Sequence, residues 1–104
     1  MDDEEDRPYQ VLLTDAAKRA YQRVMAKQDL LRIDKVLDVL DTVPEIGGSY
    51  DPIYEAAKPP FDVRVAYAGH YGIYYRIMES DKQVHVYSIE DQRRDPLTRF
   101  NNHS

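Results

Sequence analysis

Apolar residues recur along this chain with two periods, first that of a helix and then that of a strand. After a short β-prone run at Tyr9 to Leu13, apolar positions return every three or four residues in two successive stretches, which predicts two amphipathic helices. The first should begin after Thr14, whose hydroxyl suits an N-cap, and the second near Asp29, ending before Pro44. Because the connection between them is short, we expect an αα-hairpin.

The last third of the chain changes to short aromatic and β-branched runs separated by turn residues. The segment before it, Glu45 to Pro60, holds two glycines and three prolines without a sustained period, and it is predicted to be a long loop. Three strands should follow, at Phe61 to Tyr67, Tyr71 to Ile77 and Gln83 to Ile89, with turns at Ala68 to Gly69 and at Glu79 to Lys82. Runs this close together favour an antiparallel meander.

Alternation within these strands predicts which side chains face the helices. The helix-facing set should be Phe61, Val63, Val65 and Tyr67 from the first strand, and Tyr71, Ile73, Tyr75 and Ile77 from the second. The opposite, open face should carry Asp62, Arg64, Ala66, His70, Gly72, Tyr74 and Arg76. Periodicity leaves open which side of the third strand points inward, Val84, Val86 and Ser88 or His85, Tyr87 and Ile89. An open face with tyrosines and arginines would suit docking of RNA or protein.

Charge is distributed unevenly over the 104 residues, which are enough for one domain. The formal net charge is −5, but positions 2 to 6 are all acidic, and the remaining chain has 14 acidic and 14 basic residues. We therefore expect residues 1–7 to be a disordered acidic tail, residues 8–100 to be the domain, and residues 101–104 to be a flexible C-terminus. An alternative is that the acidic tail folds back onto basic groups as a weak electrostatic lid.

The composition argues against cysteine-based sites, and it argues against a membrane-spanning or secreted protein. The chain has no cysteine, so it has no disulfide framework, thiolate metal site or thiol nucleophile. No apolar run is long enough to span a bilayer, and the N-terminus is acidic where a secretory signal would be basic. The expected location is the cytoplasm, without a membrane partner.

The order of strand, two helices and three-stranded meander resembles the RelE/ParE toxin superfamily of bacterial type II toxin-antitoxin modules. The segments that carry the resemblance are YQVLLTDAAKRA, RVAYAGHYGIYYRI and QRRDPLTRF, and together they span roughly residues 8 to 100. The resemblance implies an α+β, microbial-ribonuclease-like fold and a cognate antitoxin protein as partner. It implies no cofactor and no metal.

In its ribonuclease branch, this superfamily cuts messenger RNA on the ribosome without a metal. The leading expectation from the resemblance is therefore that this chain is a toxin with such endoribonuclease activity, which inhibits translation. By position, the resemblance carries phosphate-stabilising roles over to Arg64 and Arg93. His70 is the natural candidate for an acid or base, because histidine is the residue type suited to proton transfer near neutral pH. Substrate-binding roles are expected for Tyr74, Arg76 and Arg94. The chain departs from the ribonuclease pattern at three positions, Asp62, Gly72 and Phe100, where basic, arginine and tyrosine side chains are expected.

These departures keep other interpretations open. One is a ParE-like inhibitor that binds DNA gyrase, and another is a weakened toxin that serves as a co-repressor with its antitoxin. Arg93 and Arg94 could instead form ordinary ion pairs with Asp91 or Asp95, and His70 could be a solvated turn residue.

Overall fold

The computed structural model of the chain describes residues 9–50 and 63–93. Its elements are β1 (Gln10–Leu13), α1 (Asp15–Arg23), α2 (Lys27–Leu40), a 3₁₀ turn (Pro44–Ile46), β2 (Gly48–Ser49), β3 (Arg64–Ala68), β4 (Tyr71–Met78), a second 3₁₀ turn (Glu79–Asp81) and β5 (Gln83–Asp91). They form one sheet in the order β1-β5-β4-β3-β2. The predicted α+β architecture is confirmed, and β2 adds a short strand that the sequence did not indicate.

The N-terminal strand and the last strand lie side by side. β1 pairs with β5 in parallel, with Gln10 opposite Gln83, while the other pairs of neighbouring strands are antiparallel. The hydroxyl of Thr14 accepts a bond from the Ala17 backbone N–H at 3.1 Å, as expected of an N-cap. It also donates to the Tyr87 carbonyl at 2.8 Å. This one side chain therefore begins α1 and fastens it to the sheet.

Both helices cover the same face of the sheet, which we call the near face. Its buried cluster consists of Ala17, Val24, Ile33, Leu40, Ala66, Ala68, Ile73, Tyr75, Val84, Val86 and Ile89. Tyr71 and Ile77 pack against this cluster, so the prediction for the second meander strand is confirmed. Neither helix within the described residues is long and apolar enough to cross a bilayer.

The predicted faces of the first meander strand are wrong. Ala66 and Ala68 lie on the near face, whereas Val63 and Val65 form a second cluster with Tyr74 on the opposite side, which we call the far face. The cause is the turn, since Ala68 pairs directly with Tyr71 and only Gly69 and His70 lie between them. A turn moved by one residue exchanges the two faces of a strand.

The side chains of the last strand, β5, do not alternate regularly between the two faces of the sheet. Its register with β4 shifts between Tyr74 and Tyr75, so Val84, Val86 and Ile89 all reach the near face. A β-bulge accounts for this pattern, because an extra residue in one strand reverses the alternation beyond it. Neither of the two alternating sets considered for this strand is therefore inward throughout.

The loop expected at residues 45–60 is partly ordered where the structure describes it. The 3₁₀ turn at Pro44–Ile46 leads into β2, which pairs with the start of β3. The predictions for residues 1–7 and 101–104, and those for Phe61, Asp62, Arg94 and Phe100, lie outside the described residues.

Candidate functional site

Arg64 lies on the near face and contacts backbone. Its guanidinium donates to the carbonyl of Gly47 at 2.5 Å and to the carbonyl of Glu45 at 3.1 Å. It pairs in the sheet with Tyr75, whose side chain belongs to the near-face cluster. The cation predicted for the open face is thus directed at the turn that enters β2. Its catalytic role stays a prediction.

Tyr75 holds the same turn from inside the core. Its hydroxyl donates to the Pro44 carbonyl and accepts from the Gly47 backbone N–H at 2.9 Å. A side chain at Gly47 would meet the Val65 carbonyl and this hydroxyl, so only glycine allows so close an approach. Together with Arg64, Tyr75 fixes the 3₁₀ turn to the sheet.

A group of charged side chains gathers where the β3–β4 turn meets the start of α2. We call it the tip cluster, and its members are Asp29, Arg32, His70, Tyr71, Asp91 and Arg93. His70 Nε2 lies 3.6 Å from one carboxylate oxygen of Asp29, and Arg32 lies 3.5 Å from the other. The guanidinium of Arg93 binds Asp91 with two nitrogens, the shorter contact being 2.6 Å. The alternative of an ion pair with Asp91 is therefore confirmed for Arg93.

Mutual neutralisation sets the electrostatics of this cluster. The hydrogen bond from Arg93 lowers the pKa of Asp91 from 3.8 to about 2. Asp91 in turn raises the pKa of Arg93. Burial raises the pKa of Tyr71, and the carboxylates of Asp91 and Asp29 raise it further. Because each arginine faces a carboxylate, the cluster presents little net positive charge to a phosphate.

The far face carries fewer cations than the sequence indicated. Along β4 it shows Gly72, Tyr74 and Arg76, and opposite them β5 places Glu90, Ser88 and His85. Ser88 and Glu90 are buried and bonded to each other, with the serine hydroxyl donating to the carboxylate. Tyr74 has no exposed surface, and its ring meets Tyr50 edge to face at 4.8 Å between centroids.

Gly72 leaves a space that Gln92 fills. The Gln92 side-chain amide donates to the Tyr74 hydroxyl at 2.9 Å, and a Cβ at Gly72 would collide with that amide. An arginine at position 72 would need Gln92 to move away. Gly72 departs from the ribonuclease pattern, and the side chain of Gln92 occupies the space that an arginine at this position would fill.

The predicted site residues do not form one constellation. His70 and Arg93 lie together in the tip cluster, and Tyr74 and Arg76 share the far face of β4. Arg64 lies on the other face of the sheet. Sequence reasoning missed Asp29, Glu90 and Gln92, and no local pattern marks them, because each is brought to its place by tertiary structure.

The described residues also bear on metal chemistry. Within 9–50 and 63–93, no group of three or more histidine, aspartate or glutamate side chains is arranged to hold a metal ion. The acidic side chains of the tip cluster are engaged by arginine or histidine.

Comparison with known proteins identifies relatives of this arrangement. Residues 11–96 match the family described as the ParE toxin of the type II toxin-antitoxin system parDE. The fold is similar to that of an archaeal RelE-RelB complex from Pyrococcus horikoshii OT3, with 19% identity, TM-score 0.64, and coverage of 85% of this chain and 99% of that one. It is also similar to the RelBE2 toxin-antitoxin complex from Mycobacterium tuberculosis, with 20% identity, TM-score 0.63, and coverage of 81% and 98%. A sequence search finds no significant match among curated proteins.

Proposed function

Because the chain belongs to the ParE toxin family of the RelE/ParE superfamily, and is a toxin of a type II toxin-antitoxin module, we propose that it acts by binding a protein target. DNA gyrase is the candidate target, as in the ParE branch. The proposed site of action is the cytoplasm, where gyrase and the cognate antitoxin are found. Cutting of messenger RNA on the ribosome is the competing mechanism.

The placement of the cations supports this choice. On the far face, β3 and the residue before it present Val63, Val65 and Tyr67, none of which is basic. Arg64 is directed at the carbonyls of Glu45 and Gly47 on the other side of the sheet. The near-face position of Arg64 is the single observation on which the proposal rests.

The buried acid on the far face supports the proposal further. Glu90 stands beside Gly72 in the strand pairing, at the position where a ribonuclease would need positive charge. A carboxylate there opposes the charge that develops on a cleaved phosphate. Loss of a single donor from such a site lowers a rate about 10²- to 10³-fold, and here an acid is present in addition to the missing arginine.

The antitoxin is proposed as the second partner. Both structural relatives are toxin-antitoxin complexes with RelB-type partners. By analogy, a segment of the cognate antitoxin would fold onto this chain and keep it inactive. Plasmid stabilisation is a role compatible with such a pair.

Two assays on the same purified protein test the mechanism. We expect inhibition of DNA supercoiling by gyrase, and intact messenger RNA in a translation-coupled cleavage assay. Cleavage of messenger RNA with normal supercoiling would refute the proposal. In that case Arg93→Ala should abolish cleavage, whereas the matched exposed variant Lys82→Ala should retain it.

A growth assay separates both toxin mechanisms from the co-repressor alternative. Induction of the chain alone should arrest growth, and co-expression of the antitoxin should restore it. Unimpaired growth with a folded and abundant protein would favour the co-repressor role and contradict a gyrase poison.

A further inference from the structure

A basic patch that the proposed mechanism does not use lies on the exposed side of α1 and continues to Lys27, the first residue of α2. The patch consists of Lys18, Arg19, Arg23 and Lys27, all of which are exposed. Positions 16 to 28 contain no acidic residue, although the whole chain has a formal net charge of −5. The concentration of positive charge is therefore local and runs against the overall balance.

Nearby carboxylates are engaged elsewhere. Among residues 9–50 and 63–93, no carboxylate lies within ion-pair distance of these four cations. Asp29 faces Arg32 and His70, and Asp34 accepts a bond from the Tyr21 hydroxyl at 2.6 Å. Asp15 is the remaining acid of α1 and stands in its first turn. The patch thus keeps most of its charge.

The helix sets the spacing of the two arginines of the patch. Arg19 and Arg23 are four residues apart in α1, so their side chains lie on the same side of the helix. Like charges at this spacing oppose helix formation, and a polyanion would relieve that repulsion. The nine residues of α1 span about 13 Å, a length that covers several phosphates of one duplex.

We propose that the α1 basic patch binds the phosphate backbone of double-stranded DNA. Arginine forks and lysine ammonium groups both bind phosphate oxygens, and protein–DNA interfaces are more polar and more positive than interfaces between proteins. The proposal does not depend on whether gyrase is the target.

Two other occupants fit the patch less well. An acidic protein partner would need apolar surface to bury, but the only large apolar side chain described as exposed between positions 16 and 28 is Met25. Single-stranded RNA is held by aromatic side chains on which bases stack. The one aromatic residue of α1, Tyr21, is half-buried and bonded to Asp34.

Fluorescence anisotropy with a labelled duplex of mixed sequence, about 20 base pairs long, tests the proposal at about 50 mM salt. The test variant is Arg19→Glu with Arg23→Glu, and the control is Lys35→Glu with Lys82→Glu, which changes the net charge by the same amount. We expect the test variant to bind at least about tenfold more weakly and the control to change less than about twofold. The slope of log K against log salt should become shallower by about 1.8, which is about 0.9 for each phosphate contact removed.

Three outcomes would overturn the proposal. The first is absence of binding by the wild-type chain at this salt concentration. The second is equal weakening in the test and control variants, which would indicate net charge alone. The third is displacement of DNA from the patch by poly-glutamate that binds more tightly than the duplex, which would assign the patch to an acidic polypeptide. Should the glutamate variant fail to fold by circular dichroism, Arg19→Gln with Arg23→Gln replaces it.

Discussion

Tyr74 and Tyr75 are consecutive residues of β4, and both are completely buried, yet they lie in different surroundings. On the near face, Tyr75 stands in an apolar cluster and bonds to the backbone of the turn before β2. On the far face, Tyr74 lies beside Gln92, near the bonded pair of Ser88 and Glu90. The near face is stabilised mainly by one large apolar cluster, whereas the far face combines the small apolar cluster of Val63, Val65 and Tyr74 with polar side chains that bond to one another. We infer that sequence changes alter the far face at lower cost to stability.

Among the changes that test this contrast, truncation of a near-face core residue should lower the free energy of unfolding the most. Ile73→Ala removes a fully buried side chain and leaves a cavity under the helices, which should lower the free energy of unfolding by about 2–5 kcal/mol. The far-face control, Val65→Ala, should cost about 1–2 kcal/mol, because its side chain is smaller and packs only in the small cluster with Val63 and Tyr74. Urea denaturation of both variants measures the difference, and equal losses would contradict the contrast between the faces.

Removal of the two tyrosine hydroxyls should have a smaller effect. Tyr75→Phe leaves the Pro44 carbonyl and the Gly47 N–H buried without their partner, at a cost of about 1–3 kcal/mol. Tyr74→Phe should cost about 0.5–1.5 kcal/mol, since the half-buried Gln92 amide can find water. Thermal unfolding of the two variants provides the comparison. A larger loss for Tyr74→Phe would show that the far face is the less tolerant side.

Removal of the ion pair in the tip cluster should have the smallest effect on stability, and the change should depend on pH only in the acidic range. Arg93 lowers the pKa of Asp91 from 3.8 to about 2, so this pair stabilises the fold above about pH 4. That contribution is lost as the pH falls from about 4 to about 2, because the carboxylate then takes up a proton. Asp91→Asn should flatten the stability profile in this interval and leave it unchanged near neutrality apart from a constant offset. An unchanged slope between these pH values would disprove the link.

The order of elements could be predicted from the sequence, but the orientation of individual strands could not. Helical periodicity, the N-cap at Thr14 and the aromatic runs are local signals, and they indicated the architecture correctly. The side of β3 that faces the helices depends on which two residues form the turn, and a difference of one position exchanged the faces. The bulge near Tyr74 and Tyr75 likewise follows from pairing between strands and leaves no mark in a single strand.

The candidate site was predictable only in part for the same reason. Alternation along the predicted strand places Arg64 on the open face, whereas in the folded chain its guanidinium binds the carbonyls of Glu45 and Gly47 on the near face. The ion pair between Arg93 and Asp91 joins residues two apart, so a short-range argument could include it. The contact between His70 and Asp29 joins distant segments, and only the folded chain reveals it.

The parallel pairing of β1 with β5 has a consequence for when this toxin can become harmful to its cell. The partner of Gln10 is Gln83, more than seventy residues later in the chain. A growing polypeptide therefore cannot complete its sheet until nearly all of these residues have left the ribosome. Ordering that depends on so distant a contact is slow compared with helix formation. An interval therefore separates synthesis of the chain from completion of the five-stranded sheet on which any toxic activity would depend.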